Sequence, residues 1–496
     1  MGNIINKNLP HWEGCEEELK KVCLDRIQTL YGTVVPAQVR QRLQQELEII
    51  KENNFAGLYM LCRNMFVASN VYYGDCYYRG LAGNSFVAFL CGLTNTVNPL
   101  EPHYRCKEGH YCEFVKERGI VSHISLTKKN CPICGKALIR DGYGLDEVFM
   151  FYPHGEREPD FDFNVPYDVG RKMAQALNYM DCLSEVIRAD ESDDDAIIPY
   201  LIDTLHGYFL IPKGLHVEDY CEVAAGKGER FTFCDYHKLE GSFYKLDILG
   251  HSATAMLNNL RLFTGVNPVD IDLDDANVKE FFMGKTPYRL SGIPECRDRW
   301  AQRCIEQYNM SSFDDMVKFC GLSHGTNTWL GNASDLIDEG VASINDVIAN
   351  RDDVFDYCIQ HGINRIEAFE IATDVRSGRG ISKENERIML EHEIPNWYID
   401  SCNKIKYLFP RAHNIAYALL MWRAAYYKIH HPEDFFRSYF GNMALKESVE
   451  IAKRGYKEMK DILDDLYLSE TNDHNMRMIW DLETAEEMYY KGFDVL

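Results

Sequence analysis

Pro159-Asp160-Phe161-Asp162-Phe163 is the stretch on which the reading of this chain turns. Carboxylates and aromatic rings alternate along it. In a strand, Asp160 and Asp162 share one face and Phe161 and Phe163 the other. The rings then anchor the strand in a core. Two like charges on the open face favour a divalent cation between them. Mg²⁺ takes carboxylate and water oxygens and usually shares a phosphate with its substrate, so the stretch has the form of half a phosphoryl-transfer site. An acidic chain also supplies such pairs by chance. Asp270-Ile271-Asp272 has the same spacing and no other sign of chemistry, so context has to decide.

Downstream, Phe243-Tyr244-Lys245-Leu246-Asp247-Ile248-Leu249-Gly250 sets Asp247 in an apolar run, with Lys245 on the same strand face. A lone Asp among Leu and Ile is costly to bury unless it is paired, hydrogen-bonded or metal-bound. Asp247 is the natural third carboxylate for Asp160 and Asp162; a helix N-cap or a salt bridge accounts for it equally. Between the two stretches, residues 168–188 read as helical and Tyr208 to Pro212 as a short buried strand. The acidic run 190–195 reads as a solvated loop or helix start.

Upstream, Tyr77-Tyr78-Arg79-Gly80-Leu81-Ala82-Gly83-Asn84-Ser85 is a glycine-rich turn ahead of the apolar run from Phe86 to Leu93. Backbone N–H groups ahead of a helix can face an anion, and Arg79 adds a positive charge; a plain loop before a core helix fits the same residues. Cys131-Pro132-Ile133-Cys134-Gly135 sets two thiolates on a tight turn. With Cys106 and either His110 or Cys112 it makes a four-ligand Zn²⁺ site, structural because no coordination position stays open. The upstream half lacks the C-x₂-C spacing, which leaves a metal-free loop as the alternative.

The rest reads mainly as helix. Residues 1–31 form a charged lead-in. From Pro36 a helix places Val39, Leu43, Leu47 and Ile50 on one stripe. Phe55 to Phe66 is a buried strand or a helix start. Beyond 250, Gly321 to Ala333 is a small-residue turn between helices, and Asn414 to His431 is a helix apolar almost all round. Arg376, Arg379, Lys404, Lys406, Arg411, Arg423 and Lys428 cluster in sequence, either as a polyanion or triphosphate site or as solvated helix faces. The tail from 442 is charged and helical.

With 496 residues the chain can hold several domains. Its net charge of −23 opposes non-specific attraction to nucleic acid over the whole surface, so DNA contact requires a local basic patch with metal ions at the reacting phosphates. Seventeen cysteines, an odd number and mostly scattered singly, suit a reducing cytoplasm. No signal peptide, membrane-spanning run or internal repeat is legible.

Several longer stretches carry a family resemblance: Arg79-Gly80, Asn98-Pro99-Leu100-Glu101-Pro102-His103-Tyr104 before the zinc loop, the opening stretch, Lys245 to His251, Gly321 to Thr326 with Trp329 to Ala333, and Trp397 to Cys402 through Phe409-Pro410-Arg411-Ala412-His413. From about residue 36 to about 440 the chain resembles the C-family replicative DNA polymerases, specifically the PolC type of DNA polymerase III alpha subunit. The resemblance implies an α+β fold: a palm like that of polymerase-beta nucleotidyltransferases, a mostly helical thumb and fingers, and a small zinc loop. The layout is a lead-in over 1–35, a palm over 36–251 with the zinc loop at 103–138, thumb-like helices over 252–320, fingers over 321–440 and a tail over 441–496. It implies that Asp160, Asp162 and Asp247 hold two Mg²⁺ ions. Arg79 and Gly80 then lie on the triphosphate side, and Arg376, Arg379 and Arg411 face the incoming nucleotide. Primer-template DNA and dNTPs are the implied partners, in the cytoplasm and away from membranes.

This sequence also departs from the family. Leu81 stands where the palm turn has a serine, and Ser377 where the fingers have a lysine. Asp203-Thr204-Leu205-His206-Gly207-Tyr208 replaces a Thr-Gly-Gln-His-Pro-Gly-Gly motif. The stretch between Asp162 and Asp247 and the thumb segment around 283–296 are shortened. The exonuclease, the PHP domain and the oligonucleotide-binding module have no room in the first 35 residues. Two expectations follow. One is a polymerase core whose other domains reside on a separate chain. The other is a catalytically weakened paralogue acting as a binding or regulatory module of the replication machinery.

Overall fold

The computed structural model describes residues 7–71, 77–94, 96–115, 122–151, 158–189, 207–226, 229–232, 236–297, 299–469 and 472–494, without the side chains of residue 79 and of 223–238. The acidic run 190–195 and residues 203–206 lie outside the described residues. The chain divides into two units, Met1–Thr254 and Ala255–Leu496, each taken by itself below.

The strands of the first unit are β1 Tyr77–Arg79, β2 His103–Arg105, β3 Cys112–Phe114, β4 Ile139–Asp141, β5 Asp162–Val165, β6 Leu183–Arg188, β7 Gly207–Pro212, β8 Val223–Gly226, β9 Glu229–Thr232 and β10 Tyr244–Gly250. Seven form one mixed sheet in the order β1-β5-β10-β7-β6-β9-β8, and three form a small sheet in the order β3-β2-β4. In the large sheet β5 and β10 run parallel. β1 pairs antiparallel with β5, and β7 antiparallel with β10.

Phe161 and Phe163 anchor the stretch as the sequence predicts, but the expected open face is corrected: all four residues of β5, Asp162 among them, are buried. Phe161 and Phe163 are buried. Phe161 meets Tyr59 edge-on at 5.0 Å, and Phe163 meets Phe66 at 5.2 Å. Both partners lie on the helix Ala56–Ser69, which resolves the ambiguity over 55–66. That helix is apolar nearly all round because it is enclosed, packing also on the helices Cys15–Tyr31 and Tyr167–Leu177.

One expectation is corrected. The stretch 168–188 is not a single helix: the helix ends at Leu177, and Leu183–Arg188 is a strand. Val186 and Ile187 pair with Leu210 and Phe209 of β7, and β-branched side chains with cross-strand partners favour that outcome over helix continuation.

The second unit is helical. The helix Arg411–His430 is buried along most of its length and packs on the helices Phe313–His324, Pro432–Asn442 and Ala276–Phe282. The tail is more than a charged appendage. Glu487, on the helix Asp473–Tyr490, is buried and accepts from Arg289 N at 2.8 Å, Ser291 Oγ at 2.7 Å and Lys428 Nζ at 2.8 Å. Lys428 therefore leaves the basic cluster proposed for a polyanion. Its ammonium is fully buried beside the Phe435 and Phe436 rings, where a charge persists only when paired. No helix among the described residues is long and apolar enough to cross a membrane.

Candidate active site and cysteine-histidine cluster

Four residues stand in one row across the large sheet. Arg79 of β1 is opposite Asp162 of β5, Asp162 is opposite Asp247 of β10, and Asp247 is opposite Gly207 of β7. The side chains of Asp162 and Asp247, opposite each other, project to the same face, and neighbouring strands lie about 4.8 Å apart. Along β10, Tyr244, Leu246 and Ile248 are buried, whereas Lys245 and Asp247 are on the opposite, half-buried face. Two carboxylates at the same level on adjacent strands repel one another. Lys245 Nζ, 3.4 Å from Asp247 Oδ1, offsets part of that repulsion.

Asp160 precedes β5 by two residues. Its carboxylate lies against Gly80, where an added Cβ would come within 3.0 Å of Asp160 Oδ2. Gly80 also has φ +66°, open to glycine at little cost. Gly207 does the same for Asp247: a Cβ there would fall under 3.0 Å from Asp247 Oδ1 and from the Lys245 side chain. Backbone without side chains thus borders two of the three carboxylates. All three residues are carboxylates, oxygen donors of the kind a hard divalent cation such as Mg²⁺ takes.

The turn after β1 rests on a residue that the helical stripe did not reveal. Glu46, fully buried on the helix Ala37–Glu52, accepts from Phe86 N at 2.9 Å, Val87 N at 3.0 Å, Ser85 Oγ at 2.9 Å and Arg42 Nε at 2.6 Å. Arg42 donates in turn to the Asn84 and Leu145 carbonyls and pairs with Glu147 at 2.9 Å. Charge-assisted bonds to backbone fix the turn, and Leu81 is buried within it. The spacing Leu43, Glu46, Ile50 was the available signal, since it sets Glu46 on the inward face.

The metal-ligand group in the small sheet is equally specific. The donor atoms of Cys106, His110, Cys131 and Cys134 all lie within 4.8 Å of one another, the one such group of three or more among the described residues; the aspartates do not form one. His110 therefore joins the three cysteines. Cys112 sits on β3 opposite Arg105, and burial pushes its thiol up to about 12. Two tight turns present the ligands: Cys106 N donates to Tyr111 O at 2.8 Å, and Cys131 N to Lys136 O at 2.7 Å. Burial raises the Cys131 thiol, but N–H groups of Cys134 and Ile133 outweigh it and hold it below its ordinary value. Tyr104, Leu126 and Leu138 pack beneath the group. Three thiolates and an imidazole suit structural Zn²⁺.

The second unit carries the three remaining predicted residues. The loop from Arg376 to Arg379 follows the helix Arg365–Arg376 and docks on 403–408: Leu408 N donates to Arg376 O, and Ile381 N to Asn403 Oδ1. The Arg376 guanidinium lies over the Tyr407 ring at 5.3 Å. Arg379 is exposed and pairs with Asp374 at 2.7 Å. Arg411 differs: its guanidinium is 9 % exposed and pairs with Asp356 at 2.7 Å and Asp353 at 3.1 Å. Burial raises Asp353, but Lys318 and Arg411 outweigh it and hold that carboxyl below its ordinary range.

Two family models match the chain. The bacterial DNA polymerase III alpha NTPase domain covers residues 17–181, and the bacterial DNA polymerase III alpha subunit finger domain covers 246–403. The chain belongs to the bacterial DNA polymerase III alpha family. It is 32 % identical over 541 positions to the PolC-type DNA polymerase III of Caldanaerobacter subterraneus, covering 97 % of this chain and 38 % of that protein. It is 31 % identical over 542 positions to the PolC-type enzyme of Bacillus subtilis and 32 % over 546 to that of Clostridium perfringens, in each case with 98 % and 37 % coverage. The chain thus spans somewhat over a third of the length of these relatives. Asp160 and Asp162 fall in the first matched model and Asp247 in the second. The stretch 182–245, which includes the divergent motif at 203–208, lies between them.

Proposed function

We propose that this chain carries the nucleotidyl-transfer centre of a PolC-type DNA polymerase, extending a primer 3′-hydroxyl with dNTPs on a DNA template. The observation that carries this reading is Asp162 opposite Asp247 on parallel strands, with the Asp160 carboxylate against Gly80, the residue after Arg79 of the same row. The relatives' printed names, DNA polymerase III PolC-type, point the same way.

In this reading Asp160, Asp162 and Asp247 hold two Mg²⁺ ions. When bound, these activate the primer hydroxyl and neutralise charge on the transferring phosphoryl group. The chain's own residues position the reactants, which is most of what such a transfer asks of a protein. Lys245 balances Asp247 in the metal-free site. Gly80 and Gly207 keep side chains out of the space beside the carboxylates. Glu46 and Arg42 fix the turn after Arg79 and Gly80, which is assigned to the triphosphate side. Arg376 and Arg379 are assigned to the incoming nucleotide. Arg411, held by Asp353 and Asp356, supports the fold of the fingers rather than reaching a phosphate. The Cys106, His110, Cys131 and Cys134 group holds a structural Zn²⁺.

The reading is tested by single-nucleotide incorporation on a primed template of defined sequence, using the full chain, Mg²⁺ and one dNTP at a time. Incorporation of the complementary dNTP alone, lost in Asp247→Asn, is the expected result. Absence of incorporation by the parent overturns it.

A further inference from the structure

β5 and β10 run parallel from the Asp162–Asp247 pair onward. Before that pair, Pro159 to Phe161 lie outside β5, yet Asp160 sits there. One side chain bridges the gap. Tyr244, 2 % exposed at the start of β10, donates its Oη–H to Pro159 O at 2.7 Å and accepts from Phe161 N at 3.0 Å. The first bond holds the peptide unit before the Asp160 Cα, and the second holds the peptide unit after it. A single hydroxyl therefore restrains both backbone dihedrals of Asp160 from the core side of the sheet. Burial pushes the phenol well above its ordinary value, so it stays an O–H donor.

We propose that Tyr244 is a positioning residue for the metal-binding carboxylate of Asp160. The proposal rests on the reading of Asp160 as a metal ligand. A carboxylate on an unrestrained segment samples several orientations and binds a cation less tightly. Groups that orient a ligand from behind typically contribute about 10–100-fold in metal affinity.

The test is Mn²⁺ binding to the full, zinc-replete chain, read by loss of the free-ion electron paramagnetic resonance signal. Four proteins are compared: the parent, Tyr244→Phe, Asp160→Asn, and Tyr439→Phe. The last removes a buried hydroxyl bonded to Asp481 in the other unit and controls for general loss of stability. Tyr244→Phe is expected to weaken Mn²⁺ binding by about tenfold or more, with Tyr439→Phe at the parent affinity. In primer extension, Tyr244→Phe is expected to raise the half-saturating Mg²⁺ concentration while saturating Mg²⁺ restores most of the rate. Parent-like Mn²⁺ affinity in Tyr244→Phe, with binding lost in Asp160→Asn, overturns this proposal and leaves the polymerase reading intact. Equal binding by the parent and Asp160→Asn overturns the metal reading and this proposal with it. Should Tyr244→Phe fail to fold, 4-aminophenylalanine in place of Tyr244 keeps the donor and weakens the acceptor. An affinity between those of the parent and Asp160→Asn is then expected, and the parent affinity overturns the proposal.

Discussion

Asp162 and Asp247, 85 positions apart in sequence, stand directly opposite each other on neighbouring parallel strands. Gly207 on the next strand completes the row. A like-charged pair at this separation disfavours the metal-free sheet, and a bound cation would reverse the sign of that contribution.

Gly207→Ala tests how closely that row is fitted. The new Cβ would fall under 3.0 Å from Asp247 Oδ1 and the Lys245 side chain, so the carboxylate has to turn. Overpacking typically costs about 1–3 kcal/mol. The expected outcome is a folded protein whose primer extension falls by an order of magnitude or more. Extension at the parent rate would show that the space beside Asp247 is not used.

Glu46→Gln tests the support of the turn. The amide presents a donor where a carboxylate oxygen accepts from backbone N–H groups, and Arg42 loses one of its two charge partners, keeping Glu147. Breaking a buried ion pair costs about 3–5 kcal/mol. Urea unfolding should show a loss of that order; a loss under about 0.5 kcal/mol, the level of an ordinary surface change, would contradict it.

Zinc content discriminates the two candidate ligands. His110→Ala and Cys134→Ser are expected to lose the bound Zn²⁺ or release it to a chelator far faster than the parent. Cys112→Ser, outside the ligand group, keeps one Zn²⁺ per chain. Retained zinc in His110→Ala together with loss in Cys112→Ser would reverse the assignment.

A pH effect is expected in the second unit. His324 Nε2 lies 3.0 Å from Glu295 Oε2. Burial lowers the imidazole, but Glu295 outweighs it, so the folded value is raised above the ordinary 6.5. This pair's contribution is fully present below pH 6.5 and is lost as pH rises through the folded value. Melting temperature should therefore decline as pH rises above about 6.5, and Glu295→Gln should flatten that slope. A parallel slope in the variant would assign the effect to other groups.

The strands Asp162–Val165 and Tyr244–Gly250 were legible because aromatic and apolar residues alternate with charged ones in Asp160-Phe161-Asp162-Phe163 and again in Tyr244 to Ile248. The register that sets Asp162 opposite Asp247 was not, since pairing across 85 positions leaves no local mark. Leu183–Arg188 was misread as helix because six residues without their partner β7 carry little strand signal. Glu46 was missed, and Lys428 was grouped with the exposed basic residues, because a charge on a helix ordinarily faces solvent; most of the partners that bury them, 85–87 for Glu46 and Arg289, Ser291 and Glu487 for Lys428, lie far away in sequence. The fourth member of the cysteine and histidine group depended on turn geometry, which sets His110 toward Cys131 and Cys134 and Cys112 into a strand.

The central claim is that these aspartates drive templated synthesis. Its most direct measurement is primer extension by the full zinc-replete chain with Mg²⁺ and all four dNTPs, beside an Asp160→Ala/Asp162→Ala variant of matched folding. The account predicts template-directed extension by the parent and none above background by the variant. Equal extension by both, or none by the parent, would contradict it.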